Sequence, residues 1–190
     1  MAPEDRIIDA VVALDPLADL PRTGWLLRGV RPCETIAEHS FGVALVAMLL
    51  VDELRREGET VDGERVLRMA LVHDASEART GDVPMPVKGG ALESAIHDLE
   101  LELARQVLTT EAFASYAEAE AAESLEARIV KAADKLQMMI KASVYEQKKR
   151  GALDEFWANP KNFRDMGIPL ARRVYERLRV RSGRAAPAPP

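Results

Sequence analysis

Three histidines occur in this 190-residue chain, and two of them, His39 and His73, fall on repeats that mark the buried faces of separate helices. His39 leads Val43, Val46, Leu50 and Leu54, while His73 runs with Val66, Ala70 and Glu77, every step being three or four residues. Asp74 follows His73 directly, and neighbours on a helix diverge by about 100°, so the pair can address one point only from the rim of a bundle. Asp134 lies beside a third apolar stripe, Ile129, Ala133, Leu136 and Ile140. A single histidine on an apolar face is ordinarily a satisfied core residue. Two histidines and two aspartates so placed would each need a private partner, at a cost if unpaired, whereas one divalent ion between the helices satisfies all four.

Two imidazoles and two carboxylates form a harder donor set than the thiolates of structural zinc sites, suited to Co²⁺, Mn²⁺, Fe²⁺, Ni²⁺, Zn²⁺ or Mg²⁺. Four protein ligands around a six-coordinate ion leave room for water and substrate. An open site of this kind implies catalysis, since the ion lowers the pKa of its bound water toward neutrality and can neutralise charge on a phosphoryl oxygen.

The elements that must position these groups are helices. Ala, Leu, Glu and Arg abound, and aromatics are only 5%, a bias toward helix over strand. A first helix spans about Glu4 to Leu14, broken by Asp15-Pro16 and Pro21 before an irregular segment holding Arg22, Arg28 and Arg31. The His39 helix starts at Thr35 or Ile36 and ends near Gly58. The His73 helix, capped by Asp62 or Gly63, continues through about Thr80. Two prolines and three glycines make Gly81 to Gly90 a loop that starts one turn after Glu77. Helices follow at roughly Ala91 to Leu108, Glu111 to Ala122, Leu125 to Arg150 and Pro169 to Val180. The expectation is a single-domain, all-α helical bundle over residues 1–182, with a frayed tail at 183–190.

Composition narrows the partners. At this length roughly 70% of the unfolded chain's surface is removed on folding, enough for a core without staples. The sole cysteine, Cys33, cannot form an internal disulfide, which suits the cytoplasm. The N-terminus reads as no secretion signal, and Phe41 to Val51, the longest nearly unbroken apolar run, is too short to span a bilayer. A formal charge of −5 argues against binding nucleic-acid polymers, while the arginines between Pro21 and Cys33 suit a small anion.

Three segments then carry a resemblance: Ala37-Glu38-His39-Ser40, the block His73-Asp74-Ala75-Ser76-Glu77-Ala78-Arg79-Thr80-Gly81-Asp82-Val83-Pro84-Met85-Pro86-Val87-Lys88, and Lys131-Ala132-Ala133-Asp134-Lys135-Leu136. Together they resemble the HD-domain 5′-deoxynucleotidases. The resemblance implies that His39, His73, Asp74 and Asp134 bind one divalent metal, and that the reaction hydrolyses 2′-deoxynucleoside 5′-monophosphates to deoxynucleosides and phosphate. It implies catalytic roles for Glu77 and Asp82, and substrate contacts at Val83, Pro84 and Met85 in the loop. Trp25 matches a position beside the deoxyribose, with a core anchor as the competing reading. Part of the family has an arginine immediately before that tryptophan; this chain has Gly24, so Arg22, Arg28, Arg31 or Lys88 must grip the phosphate, with Arg22 and Lys88 favoured because they flank matching segments. The family and the stripe left over on the last helix imply a homodimer.

His97 is the only further histidine, too few for a two-metal centre, and reads as structural. Another nucleotide or phosphate ester, including a triphosphate, remains the alternative substrate. A non-enzymatic helical module with a structural ion leaves Glu77 and Asp82 without a purpose.

Overall fold

The computed structural model describes residues 2–84 and 92–184, and among them every regular element is helical. Among the described residues there are ten α-helices: α1 (Pro3–Leu14), α2 (Thr23–Leu26), α3 (Ile36–Arg56), α4 (Gly63–Val72), α5 (Glu77–Thr80), α6 (Glu93–Val107), α7 (Thr110–Ala121), α8 (Leu125–Gln147), α9 (Asp154–Ala158) and α10 (Pro169–Arg181). Short 3₁₀ turns at Asp15–Ala18 and Pro160–Phe163 join them.

The long helices begin where side chains satisfy their free amides. Thr35 accepts from the Glu38 amide at 3.1 Å while Glu38 accepts from the Thr35 amide at 2.8 Å, a reciprocal cap that fixes the start of α3. Asp62, Thr109 and Ser124 cap α4, α7 and α8 in the one-way version.

Helix α8 is the centre of the bundle. Its buried residues, among them Ile129, Val130, Ala133, Leu136 and Met139, look in several directions, as a helix enclosed by neighbours must. It packs most extensively on α3, where Ala47, Ala132 and Ala133 are fully buried and their small size lets the helices approach closely. Helices α4, α7 and α10 close around this pair. Met139 rather than Ile140 completes the α8 stripe, since Ile140 remains 37% exposed toward α10.

Two expectations from the sequence need correction. The segment after Pro21 is not wholly irregular: it contains α2, and Trp25 on that helix stacks on Phe156 at 4.5 Å and meets Tyr145 edge-on at 5.3 Å in a second small core. The helix begun at Gly63 does not run unbroken to Thr80. It ends at Val72, and residues 73–76 form tight turns in which the Ala75, Glu77 and Ala78 amides reach back only three residues, before α5 resumes. The His73 ring supplies a cause, because its Nδ1 donates to the Ala70 carbonyl at 2.8 Å, the acceptor a continuing helix would offer to the Asp74 amide. No described helix is long and apolar enough to cross a membrane. Of the tail, Gly183 and Arg184 are described, and Arg184 pairs with Asp154 and Glu146; residues 185–190 lie outside the described part.

Candidate metal centre

Four side chains meet where α3, the turn after α4, and α8 converge. His39 Nε2 lies 3.2 Å from Asp134 Oδ1 and 3.7 Å from Asp74 Oδ2, and His73 Nε2 lies 3.3 Å from that same Asp74 oxygen. His73 and Asp74 both face this point from the turn that follows Val72. His39, His73 and Asp74 alone place one ligand atom each within 4.8 Å of one another.

The donor chemistry fits a cation. His73 Nδ1 donates to a backbone carbonyl and His39 Nδ1 faces the Gln137 side-chain oxygen at 2.6 Å, so each ring presents Nε2 as a lone pair. Both Nε2 atoms are buried without a hydrogen-bond partner, although carboxylate oxygens are within reach. Those oxygens are acceptors too, and acceptors converging on acceptors require a positive charge between them. Burial pushes the pKa of the His73 imidazole down, keeping it neutral. Burial opposes ionisation of Asp74, yet the neighbouring Arg22 guanidinium helps to hold its carboxyl below the usual range; Lys135 does the same for Asp134.

Charged groups ring this cluster. Arg22 Nη1 donates to Asp74 Oδ2 at 3.1 Å and lies 3.9 Å from Glu77 Oε2, so the arginine two residues before Gly24 reaches this centre. Glu77, 4% exposed, is thus a second acid beside the same Arg22 nitrogen. Lys135 Nζ stands 3.1 Å from Asp134 Oδ2, a cation beside the cluster to which the sequence reading gave no role. Its position directly after Asp134 was the available signal.

The remaining candidates are less central. Asp82 Oδ2 accepts from the Thr23 amide at 2.6 Å and the Gly24 amide at 3.4 Å, so it caps α2 from across the site. Trp25 is 2% exposed, with its indole N–H on Glu34 at 2.8 Å. Arg28 is paired with Glu155 and Arg31 is exposed, which leaves Arg22 as the described arginine at the centre. Val83 and Pro84 are half-buried just after α5; Met85 and Lys88 lie outside the described residues. His97 is 48% exposed and 3.8 Å from Glu120.

The profile of the HD-domain family matches residues 14–165. The chain belongs to the HD-domain family. Among HD-domain relatives it is 34% identical over 149 residues to the 5′-deoxynucleotidase HDDC2 of Bos taurus, an alignment covering 74% of this chain and 69% of that one. It is 33% identical over 147 residues to the 5′-deoxynucleotidase YGK1 of Saccharomyces cerevisiae, covering 70% and 63%. A conserved hypothetical protein from Pyrococcus furiosus superposes with a TM-score of 0.80 at 33% identity, over 91% of this chain and 99% of that one. The cyanophage S-2L HD phosphohydrolase DatZ, solved bound to dA and one catalytic Zn²⁺ ion, shares the fold at a TM-score of 0.56 and 20% identity, over 90% and 82%.

Proposed function

We propose that this HD-domain chain is a metal-dependent 5′-deoxynucleotidase that hydrolyses 2′-deoxynucleoside 5′-monophosphates to deoxynucleosides and phosphate. The observation that carries it is the convergence of two buried, unpartnered imidazole nitrogens and two carboxylates from three parts of the bundle, with Arg22 and Glu77 at its edge. Relatives named 5′-deoxynucleotidase over most of the chain support the substrate.

His39, His73, Asp74 and Asp134 would hold the ion, which supplies Lewis-acid polarisation of the phosphoryl group and an acidified water. Arg22, braced against Asp74, offers its guanidinium to the phosphate oxygens. Glu77 orients the attacking water and takes its proton; the new bond joins water oxygen to phosphorus, the bond from phosphorus to the 5′-oxygen breaks, and that oxygen leaves as the hydroxyl with the proton that Glu77 gained. Asp82 holds α2, and with it Arg22, against this pocket. Val83 and Pro84, beside Asp82, are placed to border the substrate, with Met85 and Lys88 following them in sequence. Trp25 sets the wall near the sugar from beneath, as a packed anchor. In our reading the protein works in the cytoplasm, where a lone Cys33 stays reduced, and it pairs as a homodimer through the exposed apolar residues that the bundle leaves uncovered, Ile140 and Val180 among them.

The test is to strip the full chain with chelator, restore Co²⁺, Mn²⁺, Mg²⁺ or Zn²⁺ singly, and measure phosphate released from deoxy- and ribonucleoside monophosphates and from triphosphates. Release from deoxynucleoside monophosphates that returns with a metal is expected. Release from triphosphates alone would move the substrate, and inactivity with every metal and substrate would overturn the enzyme reading. Solution mass reports the dimer.

A further inference from the structure

The two imidazoles at the centre are held in different ways. His73 is fixed by a backbone carbonyl, which can only accept. His39 is fixed by Gln137, whose amide can present either oxygen or NH₂, and the two choices have opposite consequences. Oxygen toward Nδ1 requires a proton there and leaves Nε2 free to bind a cation; NH₂ toward Nδ1 places the proton on Nε2 and blocks it.

Glu34 removes the choice. Glu34 is 3% exposed, and its carboxylate accepts from Trp25 Nε1 at 2.8 Å on one oxygen and from Gln137 Nε2 at 3.0 Å on the other, which also forms an ion pair with Lys141 Nζ at 3.3 Å. A carboxylate held by these donors has no proton to give, so the NH₂ of Gln137 must face it and the amide oxygen must face His39. Tyr145 holds the Glu34 backbone amide at 2.8 Å, which keeps the carboxylate in place.

A second observation comes from α3. Gly42 sits in the middle of this long helix, where glycine is the poorest helix former short of proline. A Cβ there would lie 2.8 Å from both Cγ and Nε2 of Gln137. The missing side chain is the space in which the amide lies, so the sequence keeps a helix-weakening residue where the Gln137 link needs room.

We propose that Glu34 and Gln137 are positioning residues that lock His39 in its Nδ1–H tautomer, with Gly42 providing the room, and so prepare Nε2 for the metal. The proposal rests on the reading of His39 as a ligand. Neither residue touches the substrate or the ion; they act through the His39 ring.

The test uses the full chain labelled with ¹⁵N-histidine. Three histidines give three resolvable rings, and His73, tied to the backbone, is an internal control. In metal-free protein with neutral imidazoles, His39 and His73 should both show a protonated Nδ1. In Glu34→Gln, Gln137→Met and Gly42→Ala, His39 should gain an Nε2–H population while His73 stays unchanged, and Zn²⁺ dissociation constants should rise about 10- to 100-fold. Near-UV circular dichroism identifies folded variants, and Gly42→Ala, which improves helix propensity, keeps the test available if burial at residue 34 or 137 proves intolerant. An unchanged His39 spectrum in the folded variants overturns the proposal. His39→Ala separates it from the reading beneath: Zn²⁺ bound as tightly as in wild type would remove His39 from the ligand set, whatever its tautomer.

Discussion

The two halves of the site are built by different means. One half, carried by α3, α4 and α8, takes its precision from burial: His39 stands on α3 and His73 directly after α4, and these helices pack with α8 through Val43, Ala70, Ala133 and Leu136, all fully buried. The other half, residues 20–35 with 81–84, contains only the one-turn α2 and is hung on discrete polar contacts. Asp82 reaches the Thr23 and Gly24 amides, Glu34 takes the Trp25 indole, and Pro21 and Thr35 form an isolated bridge. The difference teaches where variation is tolerated. Shifting a ligand means repacking a core, whereas re-aiming Arg22 means only resetting a few hydrogen bonds.

That contrast can be broken by substitution. The largest effect belongs to the packed half: His73→Ala or Asp134→Ala should abolish retention of one metal per chain in elemental analysis and reduce phosphate release to that of the chelated protein. Retention of a full equivalent by either variant would dissolve the proposed ligand set. Next, Glu77→Gln should leave metal content intact and lower kcat by about 10²- to 10⁴-fold, the usual worth of a positioned proton acceptor. Loss of metal together with rate would instead assign Glu77 to the cradle.

The polar half should respond more through stability. Trp25→Ala removes a 2%-exposed ring stacked on Phe156 and should cost about 3–5 kcal/mol in denaturant unfolding. Trp25→Phe keeps the stack but drops the bond to Glu34, and the ratio of deoxy- to ribonucleotide turnover in that variant reports whether the tryptophan governs sugar choice. The smallest effect sharpens the contrast most. Asp82→Ala should cost about 1 kcal/mol as a lost cap, and Asp82→Asn, which caps comparably, should stay near wild type in both stability and rate. Equal loss of rate in the Asn and Ala variants would move Asp82 from support into the chemistry.

The sequence made the packed half legible because burial leaves a period. His39 with Val43 and Leu50, and Val66 with Ala70, repeat as a helix face must, and Thr35 and Asp62 announce their helix starts. The break at Val72 was hidden, since nothing in a hydrophobic pattern records that the His73 ring captures the Ala70 carbonyl. The role of Glu34 was equally invisible: its partners Trp25, Gln137 and Lys141 lie up to 107 positions away (141 − 34), and contacts between distant residues leave no local signature. Arg22 was favoured by its neighbourhood in the chain. Its bond to Asp74 is a matter of three dimensions.

The order of the four clustered residues along the chain has a consequence for biosynthesis. His39, His73 and Asp74 leave the ribosome well before Asp134, and α8, which carries Asp134, is also the helix around which α3 and α4 pack. A nascent chain therefore carries the first three of these residues before the central helix on which α3 and α4 both pack has been made. With the ligand set proposed above, capture of an ion waits until α8 has emerged and docked, and an ion bound there favours the folded chain by mass action.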